Sequence, residues 1–233
     1  MNVKRSLETT KVEQVLLLLR KEYGQRQWQP GQDPLSSLIA TVLSQHSSDV
    51  NSHRAFAALV NRFGTWESAA ASDVNELAEA IRAGGLADIK ARRIQLILRQ
   101  IRDGQGSLDL SFLNGLSLAE AKAWLRGLPG VGPKTAGCVL LFSLGRPAMP
   151  VDTHVYRVAK RLGLIDARAS VEMAHEILES LVPPKNVYEF HILMVEHGRR
   201  TCKAQRPRCA ACVLRELCPH MASFIRTEAR SAT

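Results

Sequence analysis

The sequence predicts an all-α fold. Apolar residues recur at the spacing of a helix face, as at Val74, Leu77 and Ile81, and Gly or Pro residues end the resulting segments. No segment shows the alternation of apolar and polar residues that a half-buried strand requires. The predicted helices contain or span residues 15–19, 34–43, 50–63, 73–82, 87–102, 117–125, 134–144, 153–162, 170–182 and 187–197.

Capping residues mark where several of these helices begin. Asp33 precedes Pro34, which pairs an N-cap with a proline in the first turn. Ser117 and Glu120 have the spacing of a capping box. Asp152 is placed to cap the helix that follows it. These capping residues support the all-α prediction separately from the apolar periodicity.

Composition narrows the class of partner. The 233 residues are 45% hydrophobic, enough for one large core or two small domains, and the net charge of +9 favours a polyanion such as nucleic acid. No targeting segment is recognisable, and the apolar stretch from Val15 to Leu19 is too short to span a bilayer. We expect a monomer without membrane contact, in the cytoplasm of a prokaryotic cell.

A glycine-rich break from Leu128 to Gly132 separates two predicted helices and gives a helix-hairpin-helix unit. Gly130 and Gly132 lack a Cβ, so the backbone can approach a ligand closely. The first N–H groups of the second helix lack partners within the helix and can bind a DNA phosphate. The alternative is a tight turn that only packs.

Lys134 and Asp152 flank the second helix of this hairpin. Lys134 lies near its start, and Asp152 follows its end. Most lysines are surface cations, and an aspartate before a helix is commonly a cap. Held beside two loops at opposite ends of one short helix, the two side chains could also line one cleft.

Four of the five cysteines fall in one segment near the C-terminus, with six, two and five residues between successive members. Such clustering indicates a metal site in a reducing compartment rather than a disulfide scaffold. Four thiolates can bind zinc or an iron–sulfur cluster. The candidate ligands are Cys202, Cys209, Cys212 and Cys218.

A basic loop accompanies the cysteines. Between residues 199 and 208 there are five cations and no acidic residue, which is either a solvated basic surface or a set of contacts to DNA phosphates. The candidate DNA-binding cations are Arg199, Arg200, Lys203, Arg206 and Arg208.

Two segments, 128–136 and 151–158, closely resemble the core of endonuclease III, the bifunctional branch of the helix-hairpin-helix DNA glycosylases. The resemblance runs from about Pro34 to Cys218 and implies that Lys134 is the nucleophile, that Asp152 is the catalytic carboxylate and that the cysteines bind a 4Fe–4S cluster. It implies excision of oxidised pyrimidines from double-stranded DNA and strand cleavage by β-elimination through a lysine Schiff base.

The resemblance also identifies residues expected to enter the duplex. The family's gap-filling stretch corresponds to the segment around Gln45 and His46, and His46 stands where the family usually has Gln. Leu86 corresponds to an apolar wedge, although a buried core leucine is the alternative. Arg126 stands where close relatives often have an acidic residue. Both departures affect the expected range of lesions more than the reaction type.

The implied architecture has two helical domains that flank a DNA-binding cleft. Residues 33–147 form the helix-hairpin-helix domain, and residues 1–32 with 148–233 form the cluster domain. Three rival functions remain: a monofunctional glycosylase for adenine or uracil, a non-catalytic iron–sulfur DNA-binding module, and a zinc-binding DNA adaptor. Lys134 favours the bifunctional enzyme over the first, and the presence of both Lys134 and Asp152 favours it over the second.

Overall fold

The computed structural model describes residues 2–221, and within that range it contains helices and no strand, which confirms the all-α prediction. The α-helices are α1 (Asn2–Tyr23), α2 (Pro34–Ser44), α3 (Asp49–Phe63), α4 (Trp66–Ala71), α5 (Val74–Ala80), α6 (Ala87–Gln105), α7 (Leu118–Arg126), α8 (Pro133–Cys138), α9 (Thr153–Leu162), α10 (Val171–Leu181) and α11 (Val187–Arg200). Short 3-10 helices cover Arg82–Gly84, Ser111–Gly115, Pro184–Asn186, Cys209–Ala211 and Arg215–Leu217.

The chain divides into two compact units. The hairpin unit is Pro30–Arg146 and holds α2 to α8. The terminal unit combines the chain before Pro30 with the chain after Arg146, and it holds α1 and α9 to α11.

The hairpin unit has its core between α2 and α6. Helix α2 packs against α3 and α8, and α6 packs against α4 and α5. Leu38 and Ile39 on α2 and Ile94 and Leu98 on α6 are fully shielded, whereas Ile89 and Leu96 lie on the exposed side of α6. Burial of such side chains contributes roughly 1.5–3 kcal/mol each. This packing holds the end of α2 beside the hairpin helix α8.

The terminal unit is centred on α11. That helix packs against α9 and α1, with Leu16, Leu19, Phe190 and Leu193 in its core. Arg20 on α1 donates to the carboxylate of Glu189 on α11 through Nε at 2.9 Å. The N-terminal helix is thereby tied to a helix more than 160 positions later in the chain.

Two segments differ from the helices that the sequence predicts. Helix α4 was not predicted, because six residues capped by Thr65 are too short to display a periodic pattern. The helix predicted over residues 134–144 is α8 followed by a π-helical segment, Val139–Ser143. Apolar residues fill both parts, so the pattern does not reveal where the hydrogen bonding changes. Among residues 2–221, no helix is long and apolar enough to cross a membrane.

Candidate nucleic-acid interface and cysteine cluster

The helix-hairpin-helix turn lies within the hairpin unit, between α7 and α8. Gly130 has φ of +71°, a left-handed conformation that L side chains rarely adopt. Gly132 is the N-cap of α8 and has no side chain to bond the first amides of that helix. The helix therefore begins with N–H groups that a phosphate oxygen can accept from.

Gln45, just past the end of α2, is bonded to this turn. Its Nε2 donates to the carbonyl of Gly130 at 3.3 Å and to Oγ1 of Thr135 at 3.4 Å. Nη1 of Arg93 on α6 donates to Oε1 of Gln45 at 2.6 Å. The guanidinium also occupies the space above Gly130, because a Cβ added there would lie 2.3 Å from Nε of Arg93. The Gln45 amide is thus engaged inside the protein.

His46 and Leu86 both have left-handed backbones, with φ of 52° and 51°. Such a conformation costs a non-glycine residue on the order of 1–3 kcal/mol, and it is often found where function requires it. Leu86 is 51% exposed, and His46 is exposed as well. Leu86 is therefore not the buried core leucine that its sequence also allowed.

Lys134 and Asp152 fall in different units. Lys134 is a half-buried residue in the first turn of α8, in the hairpin unit. Asp152, in the terminal unit, is the N-cap of α9, and its Oδ1 accepts from the backbone N–H groups of His154 at 2.9 Å and Val155 at 2.7 Å. These bonds fix the carboxylate at the start of the helix.

The four clustered cysteines line one cavity in the terminal unit that is partly open to solvent. His197 lies at the same cavity, and its Nε2 is 3.6 Å from Sγ of Cys212. The pKa of Cys212 is raised to about 11, mainly by burial and to a smaller extent by the charges of the three neighbouring cysteines. Such thiols ionise readily only when a bound cation offsets their charge.

A bound metal group is the expected occupant of the cavity that the four cysteines line. Within residues 2–221, no three Cys, His, Asp or Glu side chains are arranged to hold one metal ion. A single zinc ion requires all its sulfur ligands at about 2.3 Å. All four thiols nevertheless line one cavity, so a metal group bound there would be within reach of each of them. Where the group is bound, it would supply a covalent link between the segments that carry the cysteines.

Two arginines on α9 secure the cysteine-bearing loop, and sequence reasoning missed both. Arg157 donates through Nε to the carbonyl of Cys202 at 2.9 Å. Arg161 donates through Nη1 to the carbonyl of Lys203 at 2.7 Å and to Sγ of Cys202 at 3.3 Å. Arg157 and Arg161 are four residues apart and therefore lie on one face of α9, and this spacing is what the sequence offers to indicate a shared role.

The basic loop extends from the end of α11. All five candidate cations are exposed: Arg199, Arg200, Lys203, Arg206 and Arg208. Arg200 is also paired within the protein, since its Nη1 donates to Glu196 at 2.8 Å and its guanidinium lies over the ring of Tyr23. Arg206 has φ of 49°, so its backbone is left-handed like that of His46 and Leu86.

Comparison with known proteins connects these features. A family model described as HhH-GPD superfamily base excision DNA repair protein matches residues 39–184. A putative DNA glycosylase of Arabidopsis thaliana is 38% identical over 165 residues, which are 71% of this chain and 56% of that protein. The endonuclease III of Sulfolobus acidocaldarius is 32% identical over 193 residues, which are 82% of this chain and 84% of that protein.

A solved structure gives the same match in three dimensions. It is described as a trapped covalent intermediate of endonuclease III with DNA, in an estranged-adenine complex. The two chains are 31% identical with a TM-score of 0.79, and the match covers 93% of this chain and 98% of that one. This chain therefore spans little more than half of the Arabidopsis protein and most of the length of an endonuclease III.

Proposed function

This chain belongs to the endonuclease III family of the HhH-GPD superfamily of base excision DNA repair proteins, and from that membership we propose that it removes oxidised pyrimidines from double-stranded DNA. It is a DNA glycosylase with lyase activity at abasic sites, since the family shares the covalent chemistry that the trapped complex records. The observation that carries the residue assignment is Lys134 in the first turn of the hairpin helix α8.

Lys134 is the proposed nucleophile. Rupture of the N-glycosidic bond develops positive charge at the sugar C1′, and a neutral amine can attack that carbon as the base leaves with the bonding electrons. The sugar ring then opens as the bond between C1′ and O4′ breaks and O4′ takes up the proton that the amine has lost, which leaves an iminium that acidifies the C2′ proton. Loss of that proton breaks the bond between C3′ and its phosphate, and water then hydrolyses the imine to regenerate the lysine. A rival monofunctional glycosylase for adenine or uracil does not need this amine.

Asp152 is the proposed catalytic carboxylate. A negative charge near the reacting sugar stabilises positive charge that develops in the transition state. The bonds from His154 and Val155 both end on Oδ1, so the same residue can cap α9 and present its charge from a fixed position. A purely non-catalytic DNA-binding module would require only the cap.

The proposed DNA contacts lie on both units. In the hairpin unit they are the turn with Gly130 and Gly132 and the left-handed residues His46 and Leu86. Gln45 contributes by holding the turn, in keeping with its bonds to Gly130 and Thr135. In the terminal unit they are the five exposed cations of the basic loop, which would bind phosphates without reading sequence.

The four cysteines are the proposed ligands of a 4Fe–4S cluster. Their common cavity and the similarity of the chain to endonuclease III support a cluster over the zinc of a DNA adaptor. The cluster would join the loop with Cys202 to the chain around Cys218 and so present the basic residues between them. The colour of the purified protein distinguishes a 4Fe–4S cluster from zinc, because iron–sulfur proteins are brown and zinc proteins are colourless.

The range of lesions and the cellular setting stay predictions. His46 and Arg126 depart from the residues usual at these positions, so the preferred oxidised pyrimidine and the opposite base are expected to differ from those of close relatives. The prokaryotic cytoplasm also stays a prediction, since relatives occur in Arabidopsis as well as in archaea and bacteria.

A product assay on defined duplexes tests this proposal. Duplexes with thymine glycol, uracil or adenine opposite 8-oxoguanine are incubated with the purified protein, and base release and strand ends are analysed separately. We expect release of thymine glycol with a 3′ unsaturated aldehyde end. Lys134→Gln should abolish both products, whereas Lys122→Gln, a change of the same kind on α7, should keep them. Release of uracil or adenine without strand cleavage would establish the monofunctional alternative.

A further inference from the structure

Helix α6 contains one buried lysine. The Lys90 side chain is 2% exposed, and the residue continues the apolar stripe formed by Ile94, Ile97 and Ile101. Its Nζ donates to the carbonyl of Leu43 at 2.7 Å and to the carbonyl of Gly84 at 2.9 Å. Burial lowers the pKa of this ammonium, and nearby Arg93 lowers it further. A lysine in such surroundings needs a structural reason.

The two carbonyls belong to the ends of two different helices. Leu43 lies in the last turn of α2, and Gly84 is the last residue of the 3-10 helix Arg82–Gly84. Carbonyls at the C-terminus of a helix lack partners within it, and the helix dipole makes this end negative. The ammonium therefore satisfies two buried acceptors and the negative ends of both helices at once.

Both helices lead directly into segments that are proposed to enter the duplex. His46 follows α2 by two positions, and Leu86 follows Gly84 by two positions. Both residues have left-handed backbones, and a conformation of that cost persists only where surrounding contacts hold it. The backbone N–H of Lys90 also donates to the carbonyl of Leu86 at 2.9 Å. The Lys90 side chain thus bonds the ends of both elements that lead into the loops with His46 and Leu86, and the backbone bond to Leu86 is one that any residue at this position would make.

We propose that Lys90 is a positioning residue that sets the spacing between the His46 loop and the Leu86 loop. This inference rests on the proposed entry of these loops into DNA. Two side chains that fill one gap in a duplex must reach it together. The two carbonyl groups that Lys90 joins are separated in the sequence by helices α3, α4 and α5. An apolar residue of equal length would fill the core but would leave the two loops independent.

Replacement by methionine tests the proposal, since Lys90→Met keeps the length of the side chain and removes its donors. The probe is a duplex with a tetrahydrofuran abasic-site analogue opposite 2-aminopurine, whose fluorescence rises when the base is unstacked. Wild type should raise the fluorescence on binding. Lys90→Met should bind with a similar Kd but give less than half of that rise, and it should slow single-turnover release of thymine glycol by roughly tenfold to a hundredfold. Arg102→Met, on the exposed face of α6, is the matched control and should behave as wild type.

A double-mutant cycle distinguishes positioning from general destabilisation. If Lys90 acts through the loops, Leu86→Ala lowers the fluorescence rise in wild type and changes it little in Lys90→Met. Additive effects of the two substitutions would overturn the proposal, as would a fluorescence rise in Lys90→Met equal to that of wild type. Should Lys90→Met not fold, Lys90→Gln keeps a shorter donor and is measured with the same expected direction. Failure of wild type to cleave an abasic site would refute the proposed function, whereas the fluorescence comparison would still decide the role of Lys90.

Discussion

Replacement of Gly130 by alanine should destabilise the hairpin unit far more than the same replacement at Gly132. Gly130 has φ of +71°, and a left-handed alanine costs about 1–2 kcal/mol. Its new Cβ would lie 2.3 Å from Nε of Arg93, so the guanidinium must move and its bond to Gln45 is lost. Loss of one such hydrogen bond costs about 1 kcal/mol. The free energy of unfolding should therefore fall by about 2–3 kcal/mol in total.

Gly132 is the control within the same turn. Its φ is −92°, and an added Cβ meets no atom within 4 Å. As an N-cap glycine, its replacement by alanine should cost no more than about 1 kcal/mol. Because its surface is open, a methyl group there should instead weaken DNA binding if a phosphate approaches this backbone.

Thermal unfolding followed by circular dichroism measures the difference. A loss of 2–3 kcal/mol corresponds to a fall in Tm of roughly 4–12 °C for a chain of this size. Fluorescence anisotropy with a labelled abasic-site duplex measures the effect on binding. Equal Tm values for Gly130→Ala and Gly132→Ala would refute the reasoning, because they would mean that neither the left-handed backbone nor Arg93 constrains the turn.

Three further predictions follow from single features. Ser117→Ala removes the acceptor of the N3 backbone amide in the capping box of α7 and should lower the free energy of unfolding by about 1 kcal/mol, measured by urea denaturation. The Glu189 carboxylate, although burial raises its pKa, has a net pKa below the ordinary 4.5 because Arg20 bonds it. The ionised carboxylate therefore contributes its full stabilisation above pH 4.5, and this contribution is lost as the pH falls through the lowered pKa of the folded state. Glu189→Gln should therefore make the free energy of unfolding depend less on pH in the acid range. Oxidative removal of the proposed cluster should expose the basic loop between Cys202 and Cys209 to trypsin, and unchanged cleavage would contradict a role for the cluster in holding that loop.

Sequence patterns predicted most of the fold because the long helices carry apolar stripes and several helices begin at a capping residue. The N-caps Asp33, Ser117 and Asp152 are all present, and each accepts backbone amides as its position predicts. The pattern could not reveal α4, which has too few residues for a period. It could not place the π-helical segment either. The residues of that segment are mostly apolar, and an apolar run looks the same in sequence whether the hydrogen bonding is α-helical or π-helical.

The site was predictable to the extent that its residues form local motifs. The two hairpin glycines lie close together in the sequence, and the four cysteines form a second local set. The spacing within each set is therefore enough to predict the motif. Lys90 contacts Leu43 and Arg93 contacts Gln45, and both partners lie more than 40 positions earlier in the chain. The sequence indicates the role of Lys90 only by placing a lysine at an apolar position of α6. In a search for helical periodicity, such a residue simply interrupts the apolar pattern.

Borohydride trapping tests the assignment of Lys134 most directly. The protein is mixed with a duplex that contains an abasic site, sodium borohydride reduces any imine, and mass spectrometry of tryptic peptides locates the adduct. We expect one covalent complex with wild type and with the control Lys122→Gln, with the sugar attached to Nζ of Lys134, and none with Lys134→Gln. An adduct at another residue, or strand cleavage by Lys134→Gln at the wild-type rate, would contradict the central claim.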